Sequence, residues 1–484
     1  MAALALAPLV VYVAVAVRRV AYPFELEWME GGSVAHVSRL LHGHPLYGPP
    51  SIDFVAYDYP PLYFVASAAV AKVVGTGFTA LRVVSFAGSL GCLVVLYLIV
   101  TYETADRVAG IVAAGLFAAA FRLTGAWFDI ARVDSLFLFL LLAAVLVSRR
   151  SSNWLGGAAA GGLLALSALT KQSAIVAGAP LLLYLVVTRW RVGLGALGSF
   201  VVLLGGVTVW VDHASGGWYR YYVFEILAQH PLESKAWGGF WRHDLLRWAA
   251  PMVAVSAVGL VAGLRSRAAR WRAGFYVVVV AGLVAAAWIS RLHTGGYDNV
   301  LMPAYAALAA TAAVSGALLV RSAGRWAGTV ALGAAVLLAV QLALLSYSPR
   351  DQVPTAASRR ASRALVAQLR RIAGPLVVLD HPWYGAMAGH RTYAQGGAAG
   401  EILRAHNRRA KRLLLRSFAD AVEDGRVRAV VVDQDSESRF FGAAWQRRWL
   451  EVPIGDDRLL AVTGTIIRPR TLVLFPATPA APRR

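Results

Sequence analysis

The sequence predicts an α-helical polytopic membrane protein of about eleven transmembrane helices that ends in an α/β domain, and three observations lead to this prediction. Of the 484 residues, 58% are hydrophobic and only 15% are charged, whereas soluble domains carry about one quarter charged residues. Apolar stretches of about 15 to 22 residues recur between Leu4 and Leu345, close to the roughly 20 residues with which a helix crosses the hydrocarbon core. After Ser348 the hydropathy falls and the charge rises.

The single cysteine and the net charge exclude or disfavour further classes of protein. Cys92 stands alone in an apolar stretch, which excludes an intrachain disulfide and a thiolate metal cluster. A formal charge of +21 would suit a nucleic-acid-binding protein, but in a polytopic protein basic loops set the topology and meet anionic lipid. We therefore expect membrane lipids, and no nucleic acid, among the partners.

The distribution of arginines decides the predicted topology. The first apolar stretch, 2–20, lacks a basic n-region and a clear cleavage site, which is typical of a retained signal anchor. The stretch 61–75 is short, begins at a Pro-Pro pair and contains Lys72, so it is predicted to be a surface or re-entrant helix. If it is left outside, eleven arginines and only two acids fall in the cytoplasmic loops, as the positive-inside rule requires. The predicted spans are then 3–21, 82–102, 108–121, 135–148, 155–170, 173–188, 194–211, 248–264, 273–290, 299–320 and 326–346.

This topology places the amino terminus inside and most acids of the membrane region outside. Carboxylates near bilayer depth are costly and usually line a cavity or a site, so the outer face is predicted to hold the chemistry. Twelve of the fourteen acids before residue 347 lie on that side or at the outer membrane edge: Glu25, Glu27, Glu30, Asp53, Asp58, Asp129, Asp134, Asp212, Glu225, Glu233, Asp244 and Asp298.

Residues 349–484 are predicted to form an extracytoplasmic α/β domain that follows the transmembrane domain, 1–348. Alternating helices and strands at this spacing suggest a small parallel or mixed sheet. The helices are predicted at 357–372 and 401–423, and the strands at 375–380, 428–433, 459–467 and 471–475.

The first external loop, 22–81, carries three of the acids directly after the first span. Residues 31–42 are predicted to form a short amphipathic helix with Glu30 at its amino-terminal end. There the Gly31-Gly32 pair leaves room for a ligand, and the helix dipole favours a negative charge. An acid that stays ionised in this way suits a general base.

A second acidic group precedes another apolar span, in the sequence WFDIARVDSLFLF at 127–139. Asp134 has two interpretations there: a structural pair with Arg132, or a ligand for a metal ion or a bound head group. Arg132 favours phosphate, because a guanidinium matches phosphate geometry in a bidentate fashion. Lys171 stands at a span end, where a lysine commonly extends its ammonium towards the membrane interface.

Other outer loops contribute candidate substrate-binding residues. The aromatic loop 212–247 either stacks on a sugar or forms an interfacial aromatic belt. The loop RLHTGGYDN, 291–299, has a double glycine that lets the backbone approach a ligand. The candidates are Tyr59 in the first external loop, Trp218, Tyr219 and Arg220 in the aromatic loop, and Arg291, His293 and Asp298 in the loop 291–299.

Several motifs of other function classes are missing from the sequence. It contains no Walker-type phosphate loop, no GxGxxG after a strand, no HExxH and no GxSxG, which disfavours a nucleotide-driven pump. Charged residues avoid the middle of most spans, which argues against a proton relay or an ion channel. A transporter or flippase of lipid-linked saccharides remains an alternative, although the sequence shows no clear internal repeat.

Four segments follow one another in a distinctive order: WMEGGSVAHVSRLLHGHPLY, YPPLYFVASAAVA, LRVVSFAGSL and ARVDSLFLFLLL. Together they resemble the GT-C superfamily of polytopic glycosyltransferases, in particular bacterial members akin to protein mannosyltransferases and aminoarabinose transferases. The resemblance covers about residues 1–190 in sequence and the remainder in architecture. It implies a multi-pass protein of the plasma (inner) membrane that transfers a sugar from a polyprenyl-phosphate donor to a lipid, glycan or protein acceptor. Transfer would take place on the extracytoplasmic face, usually with inversion.

The same resemblance assigns roles to individual residues. Glu30 matches the first-loop acid and is expected to be the general base, and Asp134 matches the second-loop acid that supports the base, the acceptor or a metal. Many relatives have two adjacent acids where this chain has Met29 and Glu30, so Glu27, one helical turn earlier, is the alternative base. Arg132, Lys171 and Arg291 would stabilise the leaving phosphate. Some relatives require a divalent metal cation and others do not, which leaves a metal cofactor open.

Overall fold

A computed structural model describes residues 1–459 and 467–476, and its chain divides into two compact units. We call them the first unit and the second unit. The first unit consists of Met1–Arg19, Val83–Val209 and Pro231–Gln352, and the second of Val20–Arg82, Trp210–His230 and Val353–Arg484. Residues 22–81, the predicted first external loop, therefore belong to the same unit as the carboxyl-terminal segment.

Helices follow one another along the first 344 residues. Up to Ala214 they are α1 (Ala2–Val20), α2 (Glu30–Leu41), α3 (Leu62–Val74), α4 (Phe78–Thr104), α5 (Arg107–Ala119), α6 (Asp134–Arg150), α7 (Trp154–Ala168), α8 (Ser173–Thr188) and α9 (Trp190–Ala214). The short helices α10 (Trp218–Arg220), α11 (Ile226–Ala228) and α12 (Ala236–Gly239) come next. They are followed by α13 (Arg247–Arg265), α14 (Arg270–Leu292), α15 (Met302–Ser322) and α16 (Ala327–Leu344).

The prediction of a polytopic α-helical protein is confirmed, since each predicted span lies on one of these helices. Among the described residues, seven helical segments are long and apolar enough to cross a membrane by length and composition. Other apolar helices are shorter, including α3, α5, α7 and α8. A 13-residue helix such as α3 reaches about 20 Å, less than the roughly 30 Å of the hydrocarbon core. The total of eleven spans stays a prediction.

Glycines let helices of the first unit approach one another closely. A Cβ atom at Gly157 or Gly161 of α7 would lie 2.1 Å from the Val192 carbonyl oxygen and 1.9 Å from that of Ala196, both on α9. A side chain at either glycine would therefore collide with backbone, which cannot move aside as a flexible side chain does. Small residues at helix contacts are the usual means by which membrane helices pack.

The carboxyl-terminal segment forms a mixed four-stranded sheet with the strand order β1-β2-β4-β3. The strands are β1 (Leu376–Val378), β2 (Ala429–Val432), β3 (Leu450–Pro453) and β4 (Thr471–Leu474). Strands β1 and β2 are parallel, and β4 runs antiparallel to β2 and to β3. The helices are α17 (Ala356–Arg370), α18 (Pro382–Met387), α19 (Gly396–Arg404) and α20 (Arg408–Glu423).

The sequence predicted most, but not all, of these carboxyl-terminal elements. The buried strands β1 and β2 were recognisable as apolar runs, whereas β3 is exposed along its length and has no apolar pattern to reveal it. The single helix predicted at 401–423 is wrong, because the chain breaks there and Asn407 caps a new helix by accepting a hydrogen bond from the Ala410 N–H at 3.0 Å. The strand predicted at 459–467 lies almost wholly outside the described residues.

Candidate active site

Glu30, at the start of α2, is held by a buried bidentate ion pair in the second unit. Arg82 Nε donates to Glu30 Oε1 at 2.8 Å, and Arg82 Nη2 donates to Oε2 at 2.5 Å. The Leu26 N–H donates to the same Oε2 at 2.6 Å. Both charged side chains are fully buried. Three donors therefore stabilise the negative charge of Glu30.

The space beside the two glycines that follow Glu30 is occupied by side chains of the same unit. A Cβ at Gly31 would lie 2.1 Å from Glu25 Oε1, and one at Gly32 would lie 1.9 Å from the Tyr57 hydroxyl oxygen. Tyr57 is fixed there because its hydroxyl donates to the Met29 carbonyl oxygen at 2.9 Å. The expectation that this pair leaves room for a ligand is wrong: the space accommodates Glu25 and Tyr57.

We expect the substitution Gly32→Ala to lower the thermal unfolding midpoint, with a loss of about 1–3 kcal/mol from overpacking. The new methyl group would meet the Tyr57 hydroxyl, which cannot retreat without losing its hydrogen bond to Met29. Gly198→Ala in α9 is the matched control, since no atom lies within 4 Å of its Cβ position. Thermal denaturation in detergent measures both variants; equal midpoints for the two would refute the packing argument.

Glu27 lies between Glu25 and Glu30 in sequence and is 1% exposed. Its Oε2 accepts a hydrogen bond from the Met29 N–H at 3.1 Å. The first external loop thus holds three buried carboxylates, those of Glu25, Glu27 and Glu30. Both oxygens of Glu30 accept hydrogen bonds from the Arg82 guanidinium, and Glu27 Oε2 accepts one from a backbone amide of its own loop.

Asp134 is the first residue of α6 and forms its own charged cluster in the first unit. Lys171 Nζ donates to Asp134 Oδ1 at 2.6 Å, and Asn299 Nδ2 donates to the same oxygen at 2.9 Å. Asp134 is 1% exposed, and its Oδ2 accepts no hydrogen bond from the described residues. Lys171 is thus the ion-pair partner of a buried acid, and Asn299 is a member of the cluster that the sequence did not reveal.

The other charged residues before α6, Asp129 and Arg132, contact an arginine and an aromatic ring. Arg132 lies over the Trp127 ring, with its guanidinium carbon 4.9 Å from the ring centroid. Asp129 forms a fully buried ion pair with Arg19 of α1 at 3.1 Å. The guanidinium of Arg132 thus has the geometry of a cation–π contact with Trp127.

The loop 291–299 borders a cleft of about 350 Å³ in the first unit. Arg291 donates to both Asp244 oxygens, at 2.8 and 3.0 Å, and contacts Asp298 at 3.3 Å. The charged and titratable residues that line the cleft are Glu233, Lys235, His243, Asp244, Arg291 and His293. Three of the predicted residues, Arg291, His293 and Asp298, are thus brought together, but Arg291 is already neutralised by two carboxylates.

The aromatic candidates separate into buried and accessible residues of the second unit. Tyr219 is fully buried and packs edge-on against Tyr47, with ring centroids 5.0 Å apart. Tyr47 in turn donates to the Tyr59 carbonyl oxygen at 2.8 Å. Trp218 and Tyr59 are half-buried, and Arg220 is exposed and pairs with Glu225 at 3.1 Å. Tyr219 therefore contributes to packing, and the other three have surface left for a ligand.

Sequence reasoning missed three buried charged side chains in the second unit that are hydrogen-bonded in a row, Glu25, His381 and Asp433. His381 is completely buried; its Nδ1 is hydrogen-bonded to Glu25 Oε2, and its Nε2 lies 2.7 Å from Asp433 Oδ2. Asp433 directly follows β2, and Asp380-His381 follow β1 after one residue, Leu379. Because the two strands are parallel, their carboxyl ends meet at one edge of the sheet. Polar residues at the ends of two apolar strands were the signal available in the sequence.

Buried carboxyl groups surround this histidine. Burial, the charge of Asp380 and a hydrogen bond to it raise the pKa of Glu437 to about 11, so this carboxyl is protonated at neutral pH. Burial also raises the pKa of Asp380 to about 6. Among the described residues, no group of three or more His, Cys, Asp or Glu side chains could hold a metal ion.

Comparisons with known proteins agree with this architecture. A family model described as dolichyl-phosphate-mannose-protein mannosyltransferase matches residues 58–211. The crystal structure of ArnT from Cupriavidus metallidurans bound to undecaprenyl phosphate matches with a TM-score of 0.59 and 16% identity, over 99% of this chain and 98% of that chain. Its apo state matches with a TM-score of 0.57 and 17% identity, over 98% of this chain and 99% of that one.

A more distant match is the archaeal oligosaccharyltransferase AglB from Archaeoglobus fulgidus, in complex with an inhibitory peptide and a dolichol-phosphate. The TM-score is 0.50 at 13% identity, over 90% of this chain and 71% of that chain. No curated protein matches the sequence. The chain has the fold of the GT-C glycosyltransferases, and the resemblance inferred from the sequence is confirmed.

Proposed function

We propose that this protein is a membrane glycosyltransferase that moves a sugar from a polyprenyl-phosphate carrier to an acceptor. The observation that carries the proposal is the ArnT fold over nearly the full length of both chains, in a relative crystallised with undecaprenyl phosphate. The buried acids support it, because both positions to which the resemblance assigns roles, Glu30 and Asp134, lie in charged clusters. The outer face is the proposed side of the reaction, with the amino terminus and the arginine-rich loops in the cytoplasm.

The contacts of Glu30 support the alternative base, Glu27. Glu30 already accepts hydrogen bonds from Arg82 and from the Leu26 N–H, so a proton taken from an acceptor would have to displace a guanidinium. We assign Glu30 to the fixing of the loop and Glu27 to proton transfer. Glu27 would take the proton of the acceptor hydroxyl as its oxygen attacks the anomeric carbon. The bond to the phosphate oxygen breaks, and the lipid phosphate leaves with the electron pair, with inversion.

The leaving phosphate needs cationic partners as its charge develops. Lys171 is the candidate with a built site, since Asp134 holds its ammonium at 2.6 Å. Arg132 is the second candidate. Arg291 ranks third, because Asp244 and Asp298 already neutralise its charge. Trp218, Arg220 and Tyr59 are proposed for contact with the sugar or the acceptor.

The proposal predicts that purified protein in proteoliposomes transfers radiolabelled sugar from undecaprenyl-phosphate-linked hexoses or pentoses to acceptors extracted from membranes. Asp134→Asn should lower the turnover rate about 100-fold, because the amide no longer holds Lys171 as a charged partner. Asp424→Asn, at an exposed position of the second unit, is the matched control. A labelled donor that crosses the bilayer without transfer to any acceptor would indicate a flippase and would overturn the proposal.

A further inference from the structure

The carboxyl-terminal segment meets the first external loop within the second unit, on both sides of the proposed base. A Cβ at Gly31 would lie 3.2 Å from Trp383 Cβ, and the Trp28 ring fills the space beside Gly397 at 2.6 Å. Trp28 directly follows Glu27, and Trp28 and Gly31 flank Met29 and Glu30. Packing alone thus brings residues 383–397 against the segment that holds the acids.

A charged chain joins the same two segments. His381 bridges Asp433 at the end of β2 and Glu25 in the loop, and Glu25 Oε1 occupies the space beside Gly31 in the first turn of α2. His381, Glu25 and Asp433 are each 2% exposed or less. The side chains of such a buried hydrogen-bonded network are held in one arrangement, because a buried polar group that loses its partner finds no water to replace it.

We infer that His381 is a positioning residue: by linking Asp433 to Glu25 it fixes the start of α2, and with it the orientation of Glu27. The inference rests on the proposed function, because it gives the carboxyl-terminal segment a part in that reaction. It resembles the arrangement in which a carboxylate orients an imidazole that in turn fixes a reacting group. Here the imidazole touches neither substrate nor reacting atoms and acts through the backbone of the loop.

The charge of the chain supports this role. The charges of Asp433 and Glu25 raise the pKa of His381 well above its ordinary value against the opposing effect of burial, so the ring is an imidazolium at neutral pH. Burial raises the pKa of Glu25 to about 7, while the His381 charge lowers it. The titratable groups next to His381 are Glu25, Asp380, Asp433 and Tyr384. Those that interact with these neighbours are Glu30, Glu437 and Tyr22.

The sign of the pH dependence follows from these shifts. Both Glu25 and His381 have folded-state pKa values above their unfolded values of about 4.3 and 6.5. The folded state therefore binds protons more tightly, and the stability contributed by the chain is fully present at acidic pH. It is lost as the pH rises through about 7 and past the raised pKa of His381, where two buried carboxylates lose their cation.

Two amide substitutions separate the two hydrogen bonds of His381. The amide nitrogen of asparagine reaches about as far as Nδ1 and keeps the contact with Glu25, whereas that of glutamine reaches about as far as Nε2 and keeps the contact with Asp433. We expect His381→Gln to lower kcat about 10- to 100-fold with the KM for the donor unchanged, and His381→Asn to lower it less, because asparagine keeps the contact with Glu25 and loses only the link to Asp433. His406→Gln, at an exposed position, is the control.

Two further readouts distinguish positioning from a merely structural role. Wild-type kcat should fall at alkaline pH, and the part of this fall that follows the titration of His381 should be absent from His381→Asn, whose amide does not titrate. Hydrogen exchange of residues 24–41 should increase more in His381→Gln than in His381→Asn. Equal losses of kcat and equal unfolding midpoints in the two variants would overturn the inference. If wild type transfers no sugar, the proposed function fails, and the exchange difference alone still tests the link between His381 and the loop.

Discussion

Glu27→Gln is expected to lower kcat for sugar transfer by about 10²–10⁴-fold, the range that a positioned general base contributes. The amide is isosteric with the carboxylate and can still accept the hydrogen bond from the Met29 N–H. Single-turnover transfer from radiolabelled undecaprenyl-phosphate sugars in proteoliposomes measures the chemical step directly.

Two comparisons make this expectation decisive. Glu30→Gln should lower the unfolding midpoint as well as the rate, because it removes the charge opposite Arg82. Glu451→Gln, on the exposed strand β3, should change neither quantity. If Glu27→Gln transfers sugar at the wild-type rate while Glu30→Gln is folded and inactive, the base is Glu30, and the assignment made here from the Arg82 contacts is wrong.

The sequence predicted the helices well because their signal is local. An apolar run of sufficient length identifies a helix without knowledge of its neighbours, and each predicted span lies on a helix. The buried strands β1 and β2 were recognised for the same reason. Elements without such a local apolar signal were not predicted. Strand β3 has no apolar face, and the helix break at Asn407 interrupts a continuous amphipathic pattern.

The site was predictable only in part, because its contacts join residues far apart in the chain. Glu30 and Asp134 were singled out by their position before apolar helices, and both are buried in ion pairs. Their partners were not identified: Arg82 lies 52 residues from Glu30, and Asn299 lies 165 residues from Asp134. Arg82 did carry a signal, since a cation at the start of an apolar span requires a partner. The contact of Glu25 with His381, 356 residues away, carried none.

Arg82→Met is expected to destabilise the protein more than any other single substitution proposed, by about 3–5 kcal/mol, because it leaves the buried carboxylate of Glu30 without its cation. Arg82 also donates to the Tyr22 and Phe24 carbonyl oxygens, at 2.5 and 2.7 Å, and these acceptors would be left unsatisfied. Thermal denaturation in detergent should show the loss as a lower midpoint. The unfolding midpoint of Arg82→Lys should lie between those of wild type and Arg82→Met, because an ammonium keeps the charge without the bidentate geometry.

The double variant Glu30→Gln/Arg82→Met shows which part of the loss is electrostatic. Removal of both charges should recover stability relative to Arg82→Met, since a buried pair replaced as a whole costs little. Recovery should be incomplete, because the Tyr22 and Phe24 carbonyls still lack their donor, at about 1–3 kcal/mol for each unsatisfied group. Arg426→Met is the control, as Arg426 pairs with Asp424 at the surface and such pairs contribute about 0–1 kcal/mol. A double variant no more stable than Arg82→Met would mean that the guanidinium stabilises the fold through the Tyr22 and Phe24 carbonyls alone, and it would contradict the electrostatic contribution of the pair with Glu30.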